Sequence, residues 1–304
     1  MIKLIFLSLV LFLPLNAVEI FITLKINNEI ITNIDINNES KYLIALNNEL
    51  KNTDEDILKN IAKESLIREK IKKNEILKYY ELDTTNEYLN TVIKNYYKKL
   101  GINNLDNFKQ YLKEYNLEFN AVKRKIEIEL LWNRLIGSKY QDQISVNKKN
   151  LREKIEENFK EGELILEYEL SEIIFKVKNE ADIKSKIDLI HKEIADQGFK
   201  NTANIYSIAE TSKFGGKLGW FSEKQLSKKI IDAIKNLLVN DISKPIKIAN
   251  GFMILKIDNI KEKKIKNSKE QLLQELVISE TNRKYGQYSL IYYNKLRLNT
   301  VISE

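Results

Sequence analysis

The chain has 304 residues and a formal net charge of +7, with no cysteine, a single histidine and two prolines. Without cysteine it can hold no disulfide, no thiolate zinc site, no thiol nucleophile and no cysteine-linked lipid. The single histidine, His191, excludes sites that need two, and Ser-His-Asp chemistry would have to use it alone. Basic and acidic residues alternate along helical faces, which is typical of solvated helices and argues against a nucleic-acid partner.

The N-terminus has the layout of a secretory signal peptide. Lys3 gives a short basic start, Leu4–Leu13 is an apolar run, and Ala17 offers a small residue for cleavage. The apolar run has about ten residues, whereas a helix that spans a bilayer needs roughly 20. We therefore predict that residues 1–17 are a signal peptide and that the chain is exported. The alternative is an uncleaved N-terminal membrane anchor that extends to Ile22.

Residues 18–162 have the pattern of a helical domain that opens with two strands. Apolar residues predict strands at Ile20–Ile26 and Glu29–Thr32, and Asp35 is the expected N-cap of a helix that runs to Leu50. Apolar residues at helical spacing predict further helices after Thr53, between Thr84 and Gly101, over Leu105–Tyr115 and over Glu118–Tyr140.

Strand and helix patterns alternate in residues 163–260, which we predict to be an α+β domain. Asn250-Gly251 is a strong signal for a hairpin turn between its last two strands. The predicted elements are, in order, strand Leu164–Val177, helices Asn179–Gln197 and Phe199–Tyr206, a glycine-bearing loop at Ser207–Gly219, helix Lys224–Val239, and strands Pro245–Ala249 and Phe252–Ile257.

Residues 261–304 form the last predicted segment. Lys261–Lys269 is a charged run that we interpret as a linker, and Asn267–Arg297 is predicted to be one long amphipathic helix. Leu298–Ile302 is a candidate strand. Because the first strand of the chain belongs to the N-terminal half, we expect this last strand to pair back onto it.

Three glycines lie close together in the run Gly215-Gly216-Lys217-Leu218-Gly219-Trp220. The run is not a P-loop, because the Gly-Lys-Ser/Thr ending is missing, and it is not a dinucleotide fingerprint, because no predicted strand directly precedes it. Taken alone, it predicts only a loop that needs positive φ at several positions.

Taken with its surroundings, the glycine run resembles the signature of the parvulin family of peptidyl-prolyl isomerases. That family has a strand with His-Ile-Leu, then Gly-x-x-Phe, Tyr/Phe-Ser, Gly-Gly-x-Leu-Gly-Trp, Ile/Met-Ser-x-Pro and a final Gly-aromatic-His. The residues that match here, in the same order, are Ser171-Glu172-Ile173-Ile174-Phe175, Gly198-Phe199, Tyr206-Ser207, Gly215 to Trp220, Ile242-Ser243-Lys244-Pro245 and Gly251-Phe252-Met253.

The segments on either side resemble SurA-type periplasmic chaperones. The resemblance rests on the leader, the strand pair with Asn27 to Thr32, the helical segment and the returning C-terminal helix. It implies an α+β fold in which a helical N-terminal module is completed by the C-terminal helix, with one parvulin domain inserted. It also implies a periplasmic protein that binds unfolded outer-membrane or secreted polypeptides. Neither a cofactor, a metal, a nucleic acid nor stable membrane insertion after signal cleavage is expected.

The chain departs from the parvulin pattern at its polar positions. The two histidines that face each other in the family's site fall here on Glu172 and Met253, and an acidic or thiol position falls near Ala209 or Glu210. The resemblance therefore assigns no catalytic residue. His191 lies on a predicted helix, and we expect it to be a surface or packing residue. An alternative interpretation of Glu172 is an ordinary strand carboxylate paired with a lysine.

The resemblance places a pocket for a proline ring at Leu226, Ile230, Phe252 and Met253, beside the loop motif. Two hypotheses follow. The first is a holdase that shields unfolded chains with its helical module and has a parvulin domain of doubtful activity. The second is a working peptidyl-prolyl isomerase that assists folding.

Overall fold

The structure is a computed structural model that describes residues 19–83, 87–158, 162–177, 179, 181–249, 251–264 and 268–303. The predicted signal peptide, the helix start at Thr84 and the turn residue Asn250 lie outside these residues.

The described chain begins with a hairpin of β1 (Ile22–Ile26) and β2 (Glu29–Thr32), followed by α1 (Asn33–Leu46). The predicted N-cap was wrong by one turn. The Thr32 hydroxyl accepts a hydrogen bond from the backbone N–H of Asp35, while the Asp35 carboxylate accepts one from the Thr32 N–H. Asp35 is therefore the third helical residue of a capping box, with Thr32 as the cap. The helix also ends four residues before the predicted Leu50, and a 3₁₀ turn follows it.

The rest of the first half is helical, as predicted. Asp54 caps the second helix by accepting hydrogen bonds from the N–H groups of Asp56 and Ile57. The helices are α2 (Glu55–Ile76), α3 (Glu87–Lys99), α4 (Leu105–Glu114), α5 (Phe119–Tyr140) and α6 (Lys148–Asn158). The helix α6 lies within the predicted helical domain but has no counterpart among the individually predicted helices.

The second half contains an antiparallel sheet with helices packed against it. The elements are β3 (Leu164–Phe175), α7 (Asp182–Gln197), α8 (Phe199–Tyr206), β4 (Lys217–Ser222), α9 (Lys228–Ile234), β5 (Ile246–Ile248) and β6 (Gly251–Lys264). The strands lie in the order β4-β3-β6-β5, and every neighbouring pair is antiparallel.

Two predictions in this region were wrong. The end of the predicted loop is strand, because β4 pairs with β3 from Lys217 onward, with a register shift that leaves Leu218 without a partner residue on β3. The helix predicted over Lys224–Val239 covers only the seven residues of α9. In the first case, pairing with β3 decides the local structure, and a glycine-rich sequence does not reveal a partner strand. In the second, the Ser227 side chain accepts a hydrogen bond from the N–H of Ile230 and starts the helix at Lys228.

The C-terminal segment returns to the first half of the chain. The predicted linker was wrong in part, because β6 continues to Lys264. The helix α10 (Lys269–Leu298) follows, and β7 (Ile302–Ser303) pairs antiparallel with β1. The expected pairing of last strand with first is therefore confirmed, and it gives a three-stranded sheet in the order β2-β1-β7.

The α10 helix is held by aromatic packing against α5. The ring of Trp132, which is fully buried, stacks on Tyr292 with 5.7 Å between ring centroids. Its indole N–H donates to the hydroxyl of Ser289 at 2.8 Å. The chain is therefore an α+β protein in which the C-terminal helix completes the N-terminal helical module, and the antiparallel-sheet domain lies between them in sequence. Within the described residues, none of the helices combines the length and apolar character needed to cross a bilayer.

We predict that Ser289→Ala destabilises the helical module, because it leaves the buried indole N–H of Trp132 without an acceptor. A loss of about 1–3 kcal/mol in the free energy of unfolding is expected. Urea unfolding followed by circular dichroism measures it. The matched control is Ser279→Ala, at a partly buried position on the same helix, and equal losses in the two variants would contradict the assigned role.

Candidate functional site

The glycine run closes the loop against the middle of β3. The backbone N–H of Glu172 donates to the carbonyl of Gly216 at 2.8 Å, and the N–H of Gly216 donates to the carbonyl of Thr211 at 2.9 Å. Gly216 has φ of +83°, and a Cβ at this position would overlap the carbonyl oxygen of Glu172. Only glycine allows this approach, so the loop motif sets the distance between the turn and the strand.

Ser207 fastens the start of the same loop. Its hydroxyl accepts a hydrogen bond from the N–H of Ile174 at 3.0 Å, and the N–H of Ile208 donates to the Ile174 carbonyl at 2.8 Å. The Tyr-Ser motif is therefore an anchor of the loop onto β3.

The pairing of β3 with β6 sorts the candidate residues onto two faces of the sheet. Glu172 lies opposite Leu255 and Ile174 opposite Met253, so these four residues share one face. Phe252 is the neighbour of Met253 along the strand and must point to the other face, where it stacks on Phe175 with 5.8 Å between ring centroids.

The structure therefore brings together three of the four predicted pocket residues. Met253 is buried, and partly buried Leu226 and Ile230 pack in the same apolar cluster. Phe252 belongs to a different cluster, behind the sheet. Its assignment to the pocket was wrong, because adjacent residues of a strand cannot line the same face.

Glu172 is 9% exposed, and its carboxylate accepts a hydrogen bond from the Thr211 hydroxyl at 2.9 Å. Burial raises the pKa of this carboxyl to about 7, while the Thr211 hydrogen bond acts in the opposite direction. The suggested lysine partner was wrong: the partner that the structure shows is a neutral hydroxyl. The family's first histidine position therefore holds another group that can change protonation near neutral pH.

The third polar position was expected near Ala209 or Glu210. Ala209 is buried, and Glu210 turns away from the sheet to bind Lys72 at 2.7 Å. Thr211, one residue further, is the side chain that reaches Glu172. The sequence analysis missed it, although a hydroxyl residue directly after the expected position was the available signal.

His191 is exposed on α7, the first of the two expected placements, and takes no part in the site. Among the residues that the structure describes, no three His, Cys, Asp or Glu side chains come together as a metal centre requires. The candidate site thus consists of an apolar cluster beside a buried, protonatable carboxyl group. It combines apolar side chains with a hydrogen-bonding group whose charge depends on pH.

We predict that Glu172 makes stability fall as pH rises. Its pKa in the folded chain lies above the usual 4.5, so its contribution is fully present below about pH 4.5 and is lost as pH rises through about 7. Relative to Glu172→Gln, the wild type should lose on the order of 3 kcal/mol across this range. Urea unfolding at several pH values measures the difference.

The control for this titration is Glu156→Gln, at an exposed position on α6. With rising pH, the stability of wild type relative to Glu172→Gln should fall more steeply than its stability relative to Glu156→Gln. If stability relative to Glu172→Gln stays flat or rises with pH, the protonation assigned to Glu172 is wrong.

Comparison with known proteins gives two kinds of match. The family model of the rotamase, described as the PPIC-type PPIASE domain, matches residues 169–259. The chaperone SurA of Pseudomonas putida is 26% identical over 183 residues, which cover 57% of this chain and 42% of the relative. Foldase protein PrsA 2 of Bacillus cereus is 28% identical over 243 residues, which cover 76% of this chain and 75% of the relative.

Among solved structures, one from a pair of related SurA-like chaperones of Campylobacter jejuni has a TM-score of 0.37 at 17% identity, covering 93% of this chain and 98% of that one. The chain spans less than half the length of the Pseudomonas putida chaperone, at 42%. The rotamase match runs from β3 to β6 and includes Glu172, the glycine run and Met253. The chain therefore carries a parvulin domain of the PPIC type and is similar to SurA-type chaperones.

Proposed function

We propose that the protein is a periplasmic folding chaperone that binds unfolded outer-membrane polypeptides. The similarity to proteins named chaperone SurA and foldase PrsA carries this proposal. We assign residues 1–17 to a signal peptide, residues 18–162 together with 261–304 to the chaperone module, and residues 163–260 to the parvulin domain.

The N-terminal edge of the chaperone module offers apolar surface to a client. Ile20, Phe21 and Ile22 follow one another and are 63%, 56% and 53% exposed. Single exposed apolar residues are common, but three in sequence provide a patch that an unfolded chain could cover. This supports a role in shielding clients that is separate from the parvulin site.

The first function prediction is that the chain without residues 1–17 suppresses the aggregation of an unfolded outer-membrane protein diluted from urea. Light scattering measures it. The double variant Leu226→Ala/Ile230→Ala should suppress aggregation equally well, because we assign shielding to the helical module. Scattering as high as in the absence of the chain would overturn the chaperone proposal.

Prolyl isomerisation is the second candidate function, and the grouping of Leu226, Ile230 and Met253 beside Glu172 favours it. Rotation about a peptide bond meets a barrier of about 18–20 kcal/mol. Lowering it needs no nucleophile, only a site that binds the twisted amide better than the planar one. The apolar cluster of Leu226, Ile230 and Met253 supports this candidate, because we assign to it the wall that holds the proline ring.

The corresponding prediction is that the chain accelerates cis-trans isomerisation of a Xaa-Pro peptide in a protease-coupled assay. Leu226→Ala and Ile230→Ala should each lower kcat/KM, roughly tenfold for each 1.4 kcal/mol of lost pocket contact. Leu238→Ala removes the same side chain at a position that is 72% exposed and serves as the control. A wild-type rate equal to the uncatalysed rate refutes the isomerase candidate and leaves the chaperone proposal standing.

A further inference from the structure

The turn that carries Thr211 lies between the helical module and β3. We refer to residues 209–214 as the docking turn. From α2, the guanidinium of Arg68 donates to the carbonyl of Ala209 at 3.3 Å, and the ammonium of Lys72 binds the Glu210 carboxylate at 2.7 Å. The docking turn is therefore fastened at its start by two cations of the helical module.

Lys72 is the centre of this contact. It is fully buried and also lies 2.9 Å from Glu129 of α5, which in turn binds Lys213 of the docking turn at 3.3 Å. Burial lowers the pKa of Lys72, but Glu129 and Glu210 more than offset this, so its pKa is raised and it stays charged. A buried charge with two partners holds them in place, because separating either leaves charge without compensation.

The end of the docking turn is held as well. The ring of Phe214 packs edge-on against Tyr96 of α3, with 5.6 Å between centroids. The amide of Asn204 donates to the carbonyl of Ser212 at 2.8 Å, and the amide of Asn47 in the helical module donates to Asn204 at 2.7 Å. The helical module therefore contacts the docking turn at its start, through Ser212 and Lys213, and at its end.

Thr211 is the residue whose side chain turns the other way. While its neighbours contact the helical module, its hydroxyl donates to the Glu172 carboxylate and its carbonyl accepts from Gly216. A single short turn thus joins Lys72 on one side to Glu172 on the other.

We propose that Glu210, held by Lys72 of the helical module, is a positioning residue for Glu172 and acts through Thr211. The helical module then sets the geometry of the parvulin site. This role of Glu210 adds detail to the proposed function, and it rests on that function because it assumes that the site binds peptide. A change in how the helical module packs against the docking turn therefore changes the hydrogen bonding of Glu172.

Four lysines on elements packed around Glu172 are each held in an ion pair. These groups are Lys200 with Glu49, Lys213 with Glu129, Lys217 with Glu169, and Lys256 with Asp258. None of these pairs is removed when Glu210 is changed.

The test is Glu210→Gln in the full chain, with the pKa of Glu172 measured by carbon-13 NMR titration and assigned with Glu172→Gln. Glu210 is 44% exposed and Lys72 keeps Glu129 as a charged partner in the variant, so the variant is expected to fold. Because the Thr211 hydrogen bond lowers the pKa of Glu172, misplacing Thr211 should raise that pKa. Direct loss of a nearby negative charge acts in the opposite direction and would lower it, so the sign separates positioning from electrostatics.

A double-mutant cycle with Thr211→Val completes the test. Thr211→Val alone should raise the pKa of Glu172, and Glu210→Gln should then raise it no further. Glu49→Gln, which breaks another ion pair between the modules without touching the docking turn, should leave the pKa of Glu172 unchanged.

The proposal is overturned if Glu210→Gln lowers the pKa of Glu172 or leaves it unchanged. It is also overturned if Glu210→Gln raises that pKa as much in the Thr211→Val background as in the wild type. The titration needs neither client nor turnover, so it gives its answer even if aggregation and isomerase assays are negative. A positive titration with no peptide binding would count against the proposed function alone.

Discussion

The antiparallel pairing of β3 with β6 is the constraint on which the rest of the structure depends. Its register places Leu164 opposite Lys264, so the chain leaves the sheet domain next to the point at which it entered. Only because these two ends meet can α10 return to pack on α5 and β7 reach β1. The same register aligns Glu172 and Met253 on one face of the sheet. One ladder of hydrogen bonds therefore closes the helical module and builds the candidate site.

Lys72 and Glu172 are both buried, but they differ in how the unfavourable removal of a charge from water is offset. Lys72 keeps its charge, because carboxylates from two different parts of the chain surround it. Glu172 has a hydroxyl as its partner, and burial brings its pKa to about 7. The first arrangement fixes a geometry between modules, and the second leaves a group that changes protonation near neutral pH. The docking turn connects the two.

The amino-acid sequence predicted much of the fold, and the reasons for its failures are physical. Helical periodicity located most helices, and the expected return of the last strand to the first was correct. The start of β4 was missed, because glycines hide the alternation of a strand until its partner is known. The cap at Thr32 was assigned one turn late, because Thr32 and Asp35 are both good capping residues and their reciprocal bonds exist only in the folded helix.

The sequence by itself determined the kind of domain, since the order of the glycine, Ser-x-Pro and Gly-aromatic motifs needs no contacts to be recognised. The resemblance to that family also predicted that Glu172 and Met253 stand where the family has its two histidines. Only the tertiary structure decided that Phe252 lies behind the sheet, that Thr211 is the partner of Glu172, and that Lys72 holds the turn between them. These facts depend on strand register and on contacts between residues far apart in the chain. Such contacts leave no trace in local pattern, because hydrogen bonds and ion pairs are made by whatever groups the fold brings within reach.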